Sequence, residues 1–511
     1  MHIKKNNSDN PSNAEIIYHV FQRSFFDSDD DRHGDLNGLR QKLDYLQCLG
    51  ITSILLTPLY KSAYYHNYFA DDFESIDPAY GTADSYFSLV REIHQRGMKI
   101  YMDMEIQYIT EDHAWYKDAY ENPSSPFSEY LLYKDEENKI PETIIFDING
   151  LHGYDAVYRN ITTVNLHNKK VQEYMYKLFS YWANPGNAAE GVDGFRLDHM
   201  MDTLDNKKRL GNLFEAFWKP LINELKQAHP GLIFIAEQTD WNSFGEDYIQ
   251  MSGVDRVFAF PLREAMLGFE KEKIAQTADA TFNIIPGPNQ NIVFIENHDT
   301  QRFATHVLSD RHKLRTGAAL NLLLRGTPAI YYGQELGMKG EGGFGKYGLS
   351  DGNDIPRREA FKWYKDISRQ GMALWYKDSG PWWQDSNLIQ DDGISLEEQK
   401  NDGYSLWNCY KQLIALRKSN SAIAHGKYET LQNNSVNVYS FLRHNEEQVV
   451  IVAINLAGNA EAVHIHAGAD QVSFADKRLQ HLFGEAAALL KSEHIEMTVL
   501  PYGIEVWELI N

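Results

Sequence analysis

Residues 191–200 read GVDGFRLDHM, a short β-type run that carries Arg196 and Asp198 at alternate positions. On a strand, alternate side chains point to the same face, so the guanidinium and the carboxylate arrive together at one end. Two other stretches end in the same way. LIFIAEQTD, residues 232–240, delivers Glu237, and IVFIENHDT, residues 292–300, delivers Asp299. Any one of these acids has an ordinary explanation as a helix cap or the partner of a nearby cation. Three acids, each just past an apolar run, suit one shared rim better than three solvated sites.

Working outward from these stretches, eight β-type runs alternate with helical patterns: Ile16–Phe21, Ser53–Pro58, Lys99–Glu105, Gly194–Asp198, Ile233–Glu237, Arg256–Pro261, Ile292–Asn297 and Ala329–Glu335. Eight strand-then-helix alternations predict an α/β chain built on a (β/α)8 TIM barrel, whose active site lies at the C-terminal ends of the strands. The interval between the third and fourth runs is far longer than the rest, and a connection of that length in a compact domain carries function or forms a subdomain. The expected organisation is a barrel over 1–108 and 167–427, with an inserted domain B over 109–166. Residues 339–399 read as irregular, and a helix is expected over 404–419. From 428 to 511, alternating runs such as VNVYSFLRH and EQVVIVAINLA predict a C-terminal antiparallel β-sandwich.

The chemistry that three such acids fit is glycoside hydrolysis. It needs one carboxylate at the anomeric carbon, a second carboxyl that gives and retrieves a proton, and further negative charge for an oxocarbenium-like transition state. The fixed charge of Arg196 would keep Asp198 ionised, and His298 is placed to bond a sugar hydroxyl. At this point the chain resembles glycoside hydrolase family 13, the α-amylase family. Gly194, Phe195, Arg196, Leu197 and Asp198 match its nucleophile motif, Glu237 follows an apolar strand as its acid/base does, and Asn297, His298 and Asp299 match its Asn-His-Asp motif. The stretches IIYHVFQRSFFDSDDDRHGDLNGLRQKLDYLQCLGITSILLTPL and GTPAIYYGQELGM resemble its opening βαβ segment and its eighth strand, so the likeness spans nearly the whole chain.

The resemblance implies that Asp198 is the nucleophile, Glu237 the general acid/base and Asp299 the transition-state stabiliser. The substrate-contacting set it implies is Arg196, His298, Tyr68, Asp103, Tyr108, His66 and His199, with Tyr68 stacking on the sugar at the cleavage point and Tyr64 and Tyr65 on the same rim. One family motif departs: Asp103 is followed by Met104, Glu105, Ile106, Gln107 and Tyr108, so that Gln107 and Tyr108 replace the usual Asn and His. Thr163 stands where an Asp of domain B is expected. Together these departures remove two ligands of an interdomain calcium. In the loop 27–35, DSDDDRHGD, the residues Asp27, Asp29, Asp31 and Asp35 supply hard oxygen ligands to one small cavity, or else form a solvated acidic turn. The resemblance favours a structural calcium there.

The expected substrates are starch-like α-1,4-glucans or maltooligosaccharides, cleaved with retention through a glycosyl-enzyme. Tyr65 precedes His66-Asn67-Tyr68, where relatives that trim single glucoses often carry Asp, and this favours an open cleft and endo action. The alternative is an α-glucosidase or transglycosylase acting on short α-glucosides. A non-catalytic relative is the further alternative, against which the intact acids weigh. Trp382 and Trp383 are read as packing first and as an outer sugar subsite second. A net charge of −22 excludes a nucleic-acid partner, and no apolar run reaches the roughly 20 residues of a membrane span. The polar start, MHIKKNNSDNPSNAE, lacks a signal core, so the protein is expected in the cytoplasm, or exported with its signal removed. Cys48 and Cys409 are expected as two buried, unpaired thiols.

Overall fold

A computed structural model describes residues 14–144, 147–186, 188–204, 208–343, 345–467, 474 and 477–511. The amino-terminal stretch read above for a signal lies largely outside these residues. Eight parallel strands close into a barrel: β1 (Ile17–Val20), β2 (Ser53–Leu56), β3 (Lys99–Met104), β4 (Gly194–Met200), β5 (Ile233–Gln238), β6 (Arg256–Phe258), β7 (Asn291–Val293) and β8 (Thr327–Tyr331). They follow one another around the ring, and β8 pairs with β1.

Alternation along the strands separates two layers. Ile17, Leu55, Tyr101, Ile235, Phe258, Ile292 and Ala329 point inward and fill the barrel. Their neighbours Tyr18, Leu56, Ile100, Phe195 and Phe234 point outward into the much larger core beneath the helices. On β3, β4 and β5 the same period puts Asp103, Arg196, Asp198 and Glu237 on the inner face, at the C-terminal end. Asp103 pairs in register with Arg196, and Arg196 with Ile235. Gly194 is needed at the base of β4, because a Cβ there would lie 2.0 Å from the Ile233 carbonyl oxygen.

Three strand expectations ran three or four residues too long, for local reasons. β6 stops at Phe258 because Phe260 and Pro261 open the helix Phe260–Leu267, where proline is tolerated in the first turn. β7 stops at Val293, so Asp299 stands in a turn well beyond the strand rather than at its end. β8 stops at Tyr331, before the left-handed Gly333.

The long connection after β3 carries a three-stranded antiparallel sheet of Tyr108–Thr110, Gly150–His152 and Tyr158–Thr163. Tyr108, taken from sequence as the last barrel residue, already pairs with Thr163 in that sheet. Beyond the barrel the helix Leu406–Ser419, capped by Ser405, leads into two antiparallel sheets around a separate apolar core. One has five strands, from Lys427–Thr430 to Ile504–Ile510, and the other three. Cys409 is buried, but Cys48 is exposed, contrary to expectation: it lies on the outward side of the helix Leu43–Leu49, whose buried residues are Leu43, Leu46 and Leu49. No helix among the described residues is long and apolar enough to cross a membrane.

Candidate active site

At the C-terminal mouth of the barrel, one guanidinium holds three carboxylates. Arg196 Nη1 lies 2.8 Å from both oxygens of Asp103 and also contacts Asp198 Oδ1, while Nη2 lies 2.8 Å from Glu237 Oε2. Arg196, Asp103 and Glu237 are at most 1% exposed. One buried cation cannot balance three buried anions, so at least one carboxyl keeps a proton. Burial, aided by the charge of Asp198, pushes Glu237 up to about 7 against the pull of Arg196. Burial likewise raises Asp103. A carboxyl that is still protonated near neutrality is what a general acid requires.

Local backbone geometry aims this acid. His199 is held at a φ of 41°, in the left-handed region that costs a residue with a Cβ, and its N–H donates to Glu237 Oε2 at 3.1 Å. The β4–β5 register shifts at the same level, between Ala236 and Gln238.

Asp299 reaches the site from its turn. Its Oδ1 accepts from Arg358 Nη2 at 2.9 Å, and its Oδ2 lies 2.9 Å from His298 Nε2. Burial opposes ionisation here, but His298 and Arg358 outweigh it and hold Asp299 well below the usual carboxylate range. The Tyr68 hydroxyl donates to Asp103 Oδ2 at 2.7 Å, which leaves its oxygen to accept from His298 Nε2 at 2.6 Å. The two rings are parallel, 5.3 Å apart. His298 is thereby assigned the Nε2–H tautomer, and burial keeps its pKa low.

These groups open into a pocket of about 410 Å3 that is lined by Asp198, Asp299, His298, Tyr68, His66, Tyr108 and His199, among others. Asp103, Arg196 and Glu237 are buried and are not among its lining residues. A larger hollow of about 810 Å3 between the barrel and the C-terminal sheets is lined by none of these residues. Tyr64 and Tyr65, expected on the rim, are buried behind it: Tyr64 bonds the Leu151 and Arg159 carbonyls, and Tyr65 stacks on Trp375 at 4.6 Å. They face inward because these partners use up their hydroxyl and ring faces. Trp382 packs against Gly352 and Gly380 and Trp383 against the core, and neither reaches the pocket.

Sequence reasoning missed several lining residues. Glu105, Trp241, Asp351, Asp354, Arg357 and Arg358 all face the pocket. The last four lie in the segment read as irregular, where periodicity gives no sign. The signal available was the Asp354-to-Arg358 spacing of four residues, which forms a pair at 3.3 Å.

The sequence comparisons agree with this geometry. Residues 19–426 match the family described as "Alpha amylase, catalytic domain". The chain belongs to glycoside hydrolase family 13, the α-amylase family. It is similar to α-amylase 3 of Dictyoglomus thermophilum, with 29% identity over 86% of this chain and 84% of the relative. It is 26% identical to a probable oligo-1,6-glucosidase of Bacillus subtilis, over 89% of this chain and 92% of the relative. The crystal structure of an α-amylase from H. orenii superposes with a TM-score of 0.80 at 27% identity, covering 96% of this chain and 99% of the other. As a family 13 member the protein is a glycoside hydrolase that acts on carbohydrate.

At the acidic loop, oxygens of Asp27, Asp29 and Asp35 lie within 4.8 Å of one another, a hard-oxygen set that fits a calcium ion. Burial first, and then the facing Asp31, Asp35 and Asp27, raise the pKa of Asp29. Asp31 stands outside this group, and its Oδ1 accepts from the His33 N–H at 2.7 Å. At the second position, the Gln107 amide donates to the Asp198 and His199 carbonyls at 3.2 and 3.1 Å and to Glu105 at 3.2 Å. A side-chain amide thus ties β4 to the start of the inserted sheet there.

The raised pKa of Glu237 sets a pH limb. With Glu237 as the expected general acid, kcat/KM on an unactivated glucan should fall as pH rises through about 7, approaching tenfold per unit above it. A pH–rate profile checks this, and on an aryl glucoside whose leaving group needs no proton the limb should be much weaker.

Proposed function

We propose that the protein hydrolyses α-1,4-glucosidic bonds of starch-like glucans or maltooligosaccharides with retention of anomeric configuration. The observation that carries this reading is the contact of Asp198 and Glu237 with the two nitrogens of one guanidinium. A single guanidinium spans only a few ångströms, which suits the roughly 5 Å carboxyl separation of retaining glycosidases.

In the proposed sequence, the Asp198 carboxylate attacks the anomeric carbon while Glu237 gives its proton to the glycosidic oxygen, and the C–O bond to the leaving sugar breaks. Glu237, now a carboxylate, takes a proton from water. The water oxygen attacks the anomeric carbon and Asp198 is released with its charge restored. Asp299, held ionised by Arg358 and His298, faces the sugar where positive charge develops. Trp241 follows the acid by one short turn and stacks on Phe260 at 4.7 Å, so it stands on the leaving-group side as a platform for an acceptor sugar.

A second reading, α-glucosidase or transglycosylase action on short α-glucosides, is favoured by one observation. The strand Gly150–His152 reaches across to the segment after β8, and the His152 N–H donates to the Leu349 carbonyl at 3.0 Å. This strap narrows one end of the cleft.

Asp198→Asn keeps the shape of the side chain but cannot form the glycosyl-enzyme, and turnover should fall by about four orders of magnitude or more without loss of the fold. A product profile on starch, pullulan, maltotriose and isomaltose separates the two readings. The α-amylase reading expects short maltooligosaccharides from starch and none from isomaltose, whereas the short-substrate reading expects maltotriose to be cleaved faster than starch.

Calcium at Asp27, Asp29 and Asp35 is proposed as structural, remote from the reacting atoms. Binding the folded state alone, it should stabilise by about 2–4 kcal/mol at saturating ion. Chelation should therefore lower the midpoint of thermal unfolding and leave kcat unchanged below the transition.

A further inference from the structure

Asp351 lines the pocket at its strap end, yet it is 5% exposed and neither of its carboxylate oxygens makes a hydrogen bond. The Tyr65 N–H eases the burial of charge without meeting hydrogen-bond geometry with either oxygen. The other acids of this pocket differ. Asp299 and Asp354 share Arg358, and Glu105 accepts the Gln107 and Tyr108 N–H groups at 2.6 and 3.1 Å. A buried carboxylate that lacks donors is costly in the free protein, and the cost falls when a ligand brings donors to it.

The position of Asp351 selects which part of a substrate supplies them. Glu237, with His199 above it, marks the leaving-group side. Asp351 is reached from Asp299 through Arg358 and Tyr65, next to Ser350 and the strap that pairs with it. Tyr65, whose hydroxyl accepts from Arg358 at 3.1 Å, is pinned by its stacking on Trp375, so this wall is rigid. Past Asp351 the pocket is closed by the strap: His152 bridges Ser350, and Tyr64 ties Leu151 down from beneath.

Resting on the hydrolase reading above, we propose that Asp351 is a specificity-determining residue that accepts hydroxyl hydrogen bonds from the glucosyl unit next to the one being cleaved, on the non-reducing side, and that this unit is the last the cleft holds. Without a ligand, burial and the nearby charge of Asp155 push the Asp351 carboxyl well above the usual range, as an acceptor without donors should be. The substrates so selected are short α-glucans gripped by their non-reducing end.

The test compares 4-nitrophenyl α-maltoside, which fills both glucosyl positions, with 4-nitrophenyl α-glucoside, which fills the first alone. Asp351→Asn should raise KM for the maltoside at least about tenfold, as when hydrogen bonds to a charged acceptor are lost, and leave the glucoside within about twofold. Thermal unfolding separates binding from structure. Replacing a buried carboxyl whose oxygens have no partners should leave the midpoint unchanged or higher, and Asp351→Ala should behave alike on KM. An equal change on the two substrates, or an unchanged KM with a lowered midpoint, would overturn the assignment. If the unaltered protein turned over neither substrate, the hydrolase reading itself would fall.

Discussion

One buried guanidinium organises this molecule. Arg196 sits in the middle of three adjacent strands and touches a carboxylate from each, Asp103 on β3, Asp198 on its own strand and Glu237 on β5. Burying any of these charges alone would cost several kcal/mol, and together they are tolerable because each anion has the same cation and because protons make up the deficit. Removing the arginine would leave three acids crowded in a dry barrel mouth. The strand register is therefore tied to the chemistry: a slip of one residue on β4 would turn Arg196 into the apolar layer under the helices.

From that constraint the division of labour among the acids follows. Three carboxyls around one cation cannot all ionise near neutrality, and the environments push them apart. Asp299, outside the cluster, has its own arginine and histidine donors and stays charged. Glu237, deep beside Arg196, keeps its proton to about neutral pH. Widely separated acidities among neighbouring carboxyls are the pattern that acid/base glycosidases use. The Tyr68–His298 pair and Asp103 form a continuous hydrogen-bonded wall between the two sets, so that the sugar-facing groups are held before any substrate arrives.

The barrel was legible in the sequence because strands obey a period of two and the inward charged positions on β4 and β5 break an otherwise apolar pattern. Asp198 and Glu237 were found for that reason. Asp299 was found from the apolar run before it and from its motif, though β7 ends at Val293 and Asp299 stands in a turn past that end. Asp351, Asp354, Arg357 and Arg358 were not found, because a segment shaped by 3-10 turns and by contacts with distant parts of the chain carries no periodicity. Tyr64 and Tyr65 show the opposite error. Their position beside His66 and Tyr68 suggested the rim, and partners far away in sequence, Leu151, Arg159 and Trp375, turned them inward.

The claim that rests most directly on the shared guanidinium is retention, since it requires the nucleophile and the acid to flank the scissile bond only about 5 Å apart, one reaching the anomeric carbon opposite the leaving group and the other the leaving oxygen. Proton NMR during the first minutes of maltooligosaccharide cleavage reads the configuration of the newly released anomeric centre before mutarotation blurs it. The α-anomer should come first. Initial appearance of the β-anomer would mean direct displacement by water, and would contradict both the role given to Asp198 and the reading of Arg196 as the group that brings nucleophile and acid together.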